Sequence, residues 1–325
     1  MFFARIAPAA RAGALLLSGV CAGATSGLAA DLPSRKSLPM LVADEPSAIH
    51  GYLDFTVANN RVTGGGFVLY PRGALFQTET GISIDLYKNK GAFINKFSVF
   101  TGAWSESWSD PPAGGRHWQE IDYWGGVSVG FAERFTWSAQ ILHFQFPGGG
   151  TIRNMTTKLA YDDSGWGLPI TFNPYISLFY NYGGLSAMPM GRTESYRIDI
   201  GMTPTYSFKA STGVPLTLSA PTWIALAPEK FTYVNVPANR VCGPLSNQVC
   251  STSTASLIST GLQARYSFDQ IIPKKFGSWY AKAGVQYYHL MNDAVVGTQV
   301  GRTYATFPAA KRDIAVISGG VGVSF

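Results

Sequence analysis

From residue 49 onward, apolar and polar residues alternate one by one along most of the chain. Successive side chains of a β-strand point to opposite faces, so strict alternation predicts strands with one apolar and one polar face. The last stretch shows it most clearly. Across residues 313–325, Ala315, Ile317, Gly319, Val321, Val323 and Phe325 share one face, and Ser318, Gly320, Gly322 and Ser324 share the other. Around residues 76–86, Phe76, Ile82, Ile84 and Leu86 oppose Gln77, Glu79, Ser83 and Asp85. Ile121, Tyr123, Val127, Val129 and Phe131 oppose Glu120, Asp122 and Ser128, while Tyr196, Ile198, Ile200 and Met202 oppose Arg197 and Asp199. Comparable segments begin near residues 49, 93, 135, 155, 172, 216, 258 and 279, making about twelve strands. Pro204 and Pro221 fall inside two of them. A proline cannot donate to the ladder, so a bulge near a rim is expected at Pro204. Residues 142–146 lose the alternation, which predicts a second bulge.

The breaks between segments are uneven. Those after even-numbered strands are short: residues 88–91, 132–134 and 209–215. Those after odd-numbered strands are long: residues 105–117, 227–255 and 292–311. An even count of antiparallel strands returns both ends to one side, with short turns there and long loops opposite. Aromatics gather at both ends of the strands. Phe131, Phe135, Trp137, Tyr206, Phe208, Tyr266, Phe268, Trp279 and Phe325 lie toward the short turns. Trp104, Trp118, Tyr180, Tyr182, Tyr196, Trp223 and Tyr287 lie toward the long loops.

Composition sharpens this picture. Charged residues make up 14% of the 325-residue chain, well below the roughly 25% usual for soluble domains, and aromatics reach 14%. The N-terminus combines Arg5 and Arg11, a short apolar run at residues 14–20 and small residues to Ala30. That order predicts a secretory signal peptide over residues 1–30, cleaved before Asp31, with Cys21 discarded. Removing it lowers Lys plus Arg from 25 to 23 against 19 acids, a net charge of +4. So mild an excess does not point to nucleic acid. Residues 31–48 carry Pro33, Pro39 and Pro46 without periodicity and read as a flexible lead to a 49–325 domain. Cys242 and Cys250 share a polar loop with no histidine beside them, so an exported chain would join them as a local disulfide rather than a metal site.

A C-terminal strand ending on Phe325 resembles the closing strand of bacterial outer-membrane β-barrels. The Ala-Asp-Leu-Pro run at residues 30–33 is similar to the mature start of some of these proteins. The resemblance implies a closed, antiparallel, all-β transmembrane barrel in the outer membrane of a Gram-negative bacterium. It also implies contacts with outer-membrane lipid and lipopolysaccharide, and a C-terminal strand read by the barrel-assembly machinery through Phe325. The polar faces would then line a lumen. Its candidate pore-lining charges are Glu79, Asp85, Lys96, Glu120, Asp122, Arg197, Asp199, Arg265 and Lys282, joined by Asp54, Lys158 and Asp162. The acids concentrate on early strands and Arg197, Arg265 and Lys282 on later ones, so the two signs could face each other across a channel for small hydrophilic solutes or ions.

Two other readings stay open: a barrel plugged by its own polar core and acting through its loops, and an outer-membrane hydrolase. The four histidines, His50, His117, His143 and His289, form no His-x-Ser pattern, and His117 near Glu120 and Asp122 is the one local acid–histidine group. No catalytic residue, cofactor or metal is expected.

Overall fold

A computed structural model describes residues 48–66, 68–69, 72–111, 116–147, 150–184, 195–227, 254–292, 296 and 311–325. The strands in chain order are β1 (Ile49–Ala58), β2 (Arg61–Val62), β3 (Val68–Leu69), β4 (Arg72–Lys88), β5 (Ile94–Asp110), β6 (Trp118–Phe131), β7 (Phe135–Phe146), β8 (Gly150–Tyr161), β9 (Ile170–Thr171), β10 (Tyr175–Gly184), β11 (Ser195–Met202), β12 (Thr205–Ser207), β13 (Leu216–Ser219), β14 (Thr222–Leu226), β15 (Ala255–Ser267), β16 (Ser278–Leu290) and β17 (Asp313–Ser324). Fifteen of these form one antiparallel sheet in which each wall strand pairs with its sequence neighbour and β17 pairs back onto β1. The segments β9 and β10, β11 and β12, and β13 and β14 are three interrupted staves, so the closed wall has twelve.

The interruptions adjoin one another. Pro204 separates β11 from β12, and Pro221 separates β13 from β14. With no proline N–H for a regular ladder, the gap is bridged by Thr203 N–H to Phe172 O, Ala220 N–H to Pro204 O and Gly261 N–H to Pro221 O. One dislocation therefore crosses neighbouring staves instead of isolated bulges.

Two expected boundaries move. The third stave, β5, runs on to Asp110 and keeps Trp104, Glu106 and Trp108 in the wall where a loop from residue 105 was expected. The expected bulge at residues 142–146 does not form. β7 stays in register with β6 and β8 to its end. Leu142 and Phe144 still point inward, and His143 and Gln145 still point outward. The side-chain geometry keeps its period, and the chemistry of the two faces reverses. The segment near residue 155 is a full stave, β8, of 12 residues.

The wall is inverted relative to a soluble protein. Leu53, Phe55, Ile82, Ile141, Leu262 and Ile317 stand exposed on the outer surface, while Asp54, Gln77, Glu106, Asp122 and Arg197 are buried inside. Inside, the half of the barrel away from the chain termini holds two apolar clusters. One joins Leu75, Trp223, Leu257, Tyr288, Leu290, Ile314 and Val316, and the other Phe100, Trp104, Trp124, Leu142, Phe144 and Phe179. Leu75, Leu142, Leu257 and Leu290 are fully enclosed. Each contributes about 1.5–3 kcal/mol relative to a water-exposed position.

Trp104 and Trp223 thus belong to the packed interior, contrary to the girdle position expected from their place near strand ends. Trp118, Tyr182, Tyr196 and Tyr287 do stand outward. At the opposite end Phe93, Phe131, Phe135, Tyr161 and Trp166 form a continuous ring-to-ring chain.

Candidate functional site

The site starts from the connection after β1. Its chain turns into the lumen as the β2–β3 hairpin, a two-stranded sheet separate from the wall. Residues 61–66 are all buried, and Val62 and Val68 seat in the first apolar cluster. Arg61 carries the hairpin's one charge at this wall. Its Nη1 lies 3.3 Å from Glu106 Oε1 on β5 and donates to Glu120 Oε2 on β6. The guanidinium carbon sits 4.8 Å from the centre of the Trp104 ring. Glu106 also accepts from Gln77 Nε2 at 2.9 Å and Trp108 Nε1 at 2.8 Å. Asp122, on the inward face of β6 two residues from Glu120, is 1% exposed.

Further along the hairpin, Gly64 has no side chain for a reason. A Cβ there would collide with the guanidinium of Arg197 on β11. Arg197 itself forms a two-point pair with Asp199, Nε to Oδ1 at 2.7 Å and Nη2 to Oδ2 at 2.8 Å, over the Phe179 ring. The hairpin therefore reaches from the β5–β6 wall to β11, with β7, β8 and β10 between them in the sheet. At its level the interior charges are shielded from solvent. Dry charges are tolerated where each finds a countercharge or donor.

Toward the end that carries the chain termini, the interior is wetter. Asp85 gathers Lys88 at 2.9 Å, Lys96 at 3.0 Å, His50 at 3.1 Å and the Ser98 hydroxyl at 2.7 Å, with both lysines well exposed. Asp54 accepts from Tyr280 Oη and Lys282 Nζ, each at 2.7 Å, and from Thr56 Oγ1 at 2.9 Å. The Tyr52 hydroxyl donates to Glu79 at 2.6 Å, and the Arg265 guanidinium stacks 3.6 Å from the Tyr280 ring centre. This is a vestibule with both signs of charge.

Glu79, Asp85, Lys96, Glu120, Asp122, Arg197, Asp199, Arg265 and Lys282 all take inward-facing positions. Glu79, Glu120, Asp122, Arg197 and Asp199 are buried, and Lys96, Arg265 and Lys282 keep solvent contact. Opposed acidic and basic rows do not arise as such, because Asp199 neutralises Arg197 and Asp54 neutralises Lys282 locally. Asp162 leaves the lumen altogether: it is exposed in the turn after β8, where it accepts from Ser164 N–H. Cys242 and Cys250 lie outside the described residues, as does the segment read as a signal peptide.

Phe325 extends the seam with β1 through paired backbone bonds with Gly51, at 2.8 and 3.0 Å, and its ring lies over Gly51. Arg61 and Glu106 were absent from the expected set because both fall in segments whose alternation seemed to have ended. The available signal was parity: Trp104, Glu106 and Trp108 continue the inward series of Lys96, Ser98 and Gly102.

Two His–Asp pairs occur among the described residues, His50 with Asp85 and His289 with Asp313. In each, the neighbouring hydroxyl donates to the carboxylate, Ser98 to Asp85 and Tyr287 to Asp313. Neither arrangement places a hydroxyl on the imidazole, which nucleophile activation requires. His117 bonds the Trp108 carbonyl and not Glu120 or Asp122. Among the described residues no group of three His, Cys, Asp or Glu side chains is disposed to hold a metal ion.

A closed sheet leaves no edge, and an apolar exterior over a charged interior suits it to lipid. This is a closed, antiparallel β-barrel with a membrane-facing exterior. No family model and no curated protein matches the chain. Solved structures similar to it include the NanC porin, at 13% identity and a TM-score of 0.42, covering 84% of this chain and 98% of that one. The KdgM porin aligns at 8% identity and 0.39, covering 84% and 99%. Outer membrane phospholipase A from Escherichia coli aligns at 13% identity and 0.39, covering 84% and 92%.

Proposed function

We propose that this barrel is a porin-like outer-membrane channel for small hydrophilic solutes or ions, shut in the conformation described by its β2–β3 hairpin. The observation that carries the reading is the hairpin's independence. It shares no ladder with the wall among the described residues, so it can leave without breaking a stave. Below it lies a vestibule lined by Lys96, Arg265 and Lys282, whose partly exposed cations can meet a passing solute. Export through a signal peptide at residues 1–30, contacts with lipid and lipopolysaccharide, and handling by the assembly machinery through Phe325 belong to the same proposal.

The test is single-channel conductance of the mature protein, refolded and placed in a planar bilayer. Ion-selective steps are expected, with brief openings in the parent chain and long ones in Arg61→Ala. Charge reversal at Arg265 or Lys282 shifts the preference toward cations. A second reading has its own support in the two apolar clusters that fill the upper lumen. On it the barrel is permanently plugged and acts through its outer loops. Silence of both the parent and Arg61→Ala, with folding shown by heat-modifiable gel mobility, would decide for that reading.

A further inference from the structure

The wall that receives Arg61 carries more buried carboxyl groups than Arg61 pairs with. Among the described residues, three buried carboxyl groups, Glu106, Glu120 and Asp122, gather at the Arg61 guanidinium, which pairs with the first two. Of their oxygens, Glu120 Oε1 and Asp122 Oδ1 are buried and accept no hydrogen bond from the described residues. A planar cation already occupies the place, resting on the Trp104 face, and it arrives on a segment that is not laddered to the wall. Carboxylates in a fork around a guanidinium, with an aromatic ring against its face, are the general means of recognising such groups.

We propose that this cradle is a binding site for small organic cations bearing a guanidinium group, and that Arg61 is its resident occupant. Such a solute displaces Arg61, unseats the hairpin and opens the lumen, so the transported or sensed solute carries its own key. The inference rests on the channel reading above and deepens it. Two features favour a guanidinium over a simple metal cation. The known occupant is planar, and the oxygens are spread over β5 and β6 rather than collected around a point.

The experiment uses the mature barrel in lipid bilayers, with millimolar methylguanidinium as probe and N-methylurea as its neutral isostere. Methylguanidinium is expected to raise the open fraction of the parent channel several-fold, and N-methylurea to leave it unchanged. Arg61→Ala opens without the probe and responds no further. A second readout, calorimetric titration, does not depend on conductance. Removing an internal competitor raises apparent affinity by the inverse of the fraction of sites it had left free. Methylguanidinium should therefore bind Arg61→Ala at least about tenfold tighter than the parent, and Glu120→Gln in that background should abolish the gain. Equal binding to parent and Arg61→Ala, or an equal response to the urea, overturns the site even where conductance upholds the channel. Probe binding without conductance keeps the cradle and removes the channel.

Discussion

Asp54 offers the sharpest test of how the barrel is held shut. It lies on β1, yet its carboxylate reaches over β17 to Tyr280 and Lys282 on β16. The reach depends on Gly322, which pairs with Asp54 on one side and Tyr280 on the other. A Cβ at Gly322 would strike the Tyr280 hydroxyl and approach Asp54 Oδ2. Asp54→Ala removes acceptors for three donors, two of them from β16. It also leaves Tyr280 Oη buried and Lys282 facing a wall without its carboxylate. Hydrogen bonds to a charged group are worth about 1.5–3 kcal/mol each. Breaking one side of a fully buried pair costs about 3–5 kcal/mol; Lys282 keeps some solvent contact, so about 2–4 kcal/mol is expected for Asp54→Ala. Asp54→Asn keeps the shape and an acceptor for Tyr280 and should lose roughly half of that.

The assay is urea unfolding of the barrel in lipid vesicles, followed by tryptophan fluorescence. A cycle with Lys282→Ala isolates the ion pair, since coupled neighbours depart from additivity by about 0.5–3 kcal/mol. An Asp54→Ala loss below about 1 kcal/mol, the scale of an exposed surface pair, would refute the view that this cross-strand contact secures the seam.

Two further outcomes follow from positions on the outer surface. Gly51→Val should drive the Phe325 ring from its place and cost roughly 1–3 kcal/mol, with Phe325→Ala relieving the clash; fully additive losses in the same urea titration would count against the contact. In single-tryptophan variants placed in brominated-chain lipid, Trp279 and Trp118 should be strongly quenched and Trp104 and Trp223 spared, and comparable quenching of Trp104 would contradict its interior position.

Much of the wall could be read from the residues because lipid on one side and a polar interior on the other enforce period two with little ambiguity. Strand number and most inward-facing positions follow from that single constraint, though Asp162 does not. The upper lumen could not be read in the same way. There the inward face of β7 turns apolar at Leu142 and Phe144, while His143 and Gln145 reach the outer rim, so hydropathy alternation no longer reports direction. Trp104 and Trp223 mislead for a related reason: an aromatic near a strand end suits an interfacial ring or a packed interior equally well. The Arg61 cradle was hidden because it is tertiary. Its cation comes from a loop, and its acids from two staves whose pairing register no local pattern encodes.

The seam has a consequence in time as well as in space. Tyr280 and Asp54 stand 226 residues apart in the chain, so if the wall is laid down strand by strand from β1 their contact forms after nearly all of it has been built. Interactions made that late are absent from the folding transition state, and weakening them speeds unfolding while leaving the folding rate almost untouched. Asp54 and Gly322 would then govern how long a finished barrel lasts, and have little say in how quickly one is made.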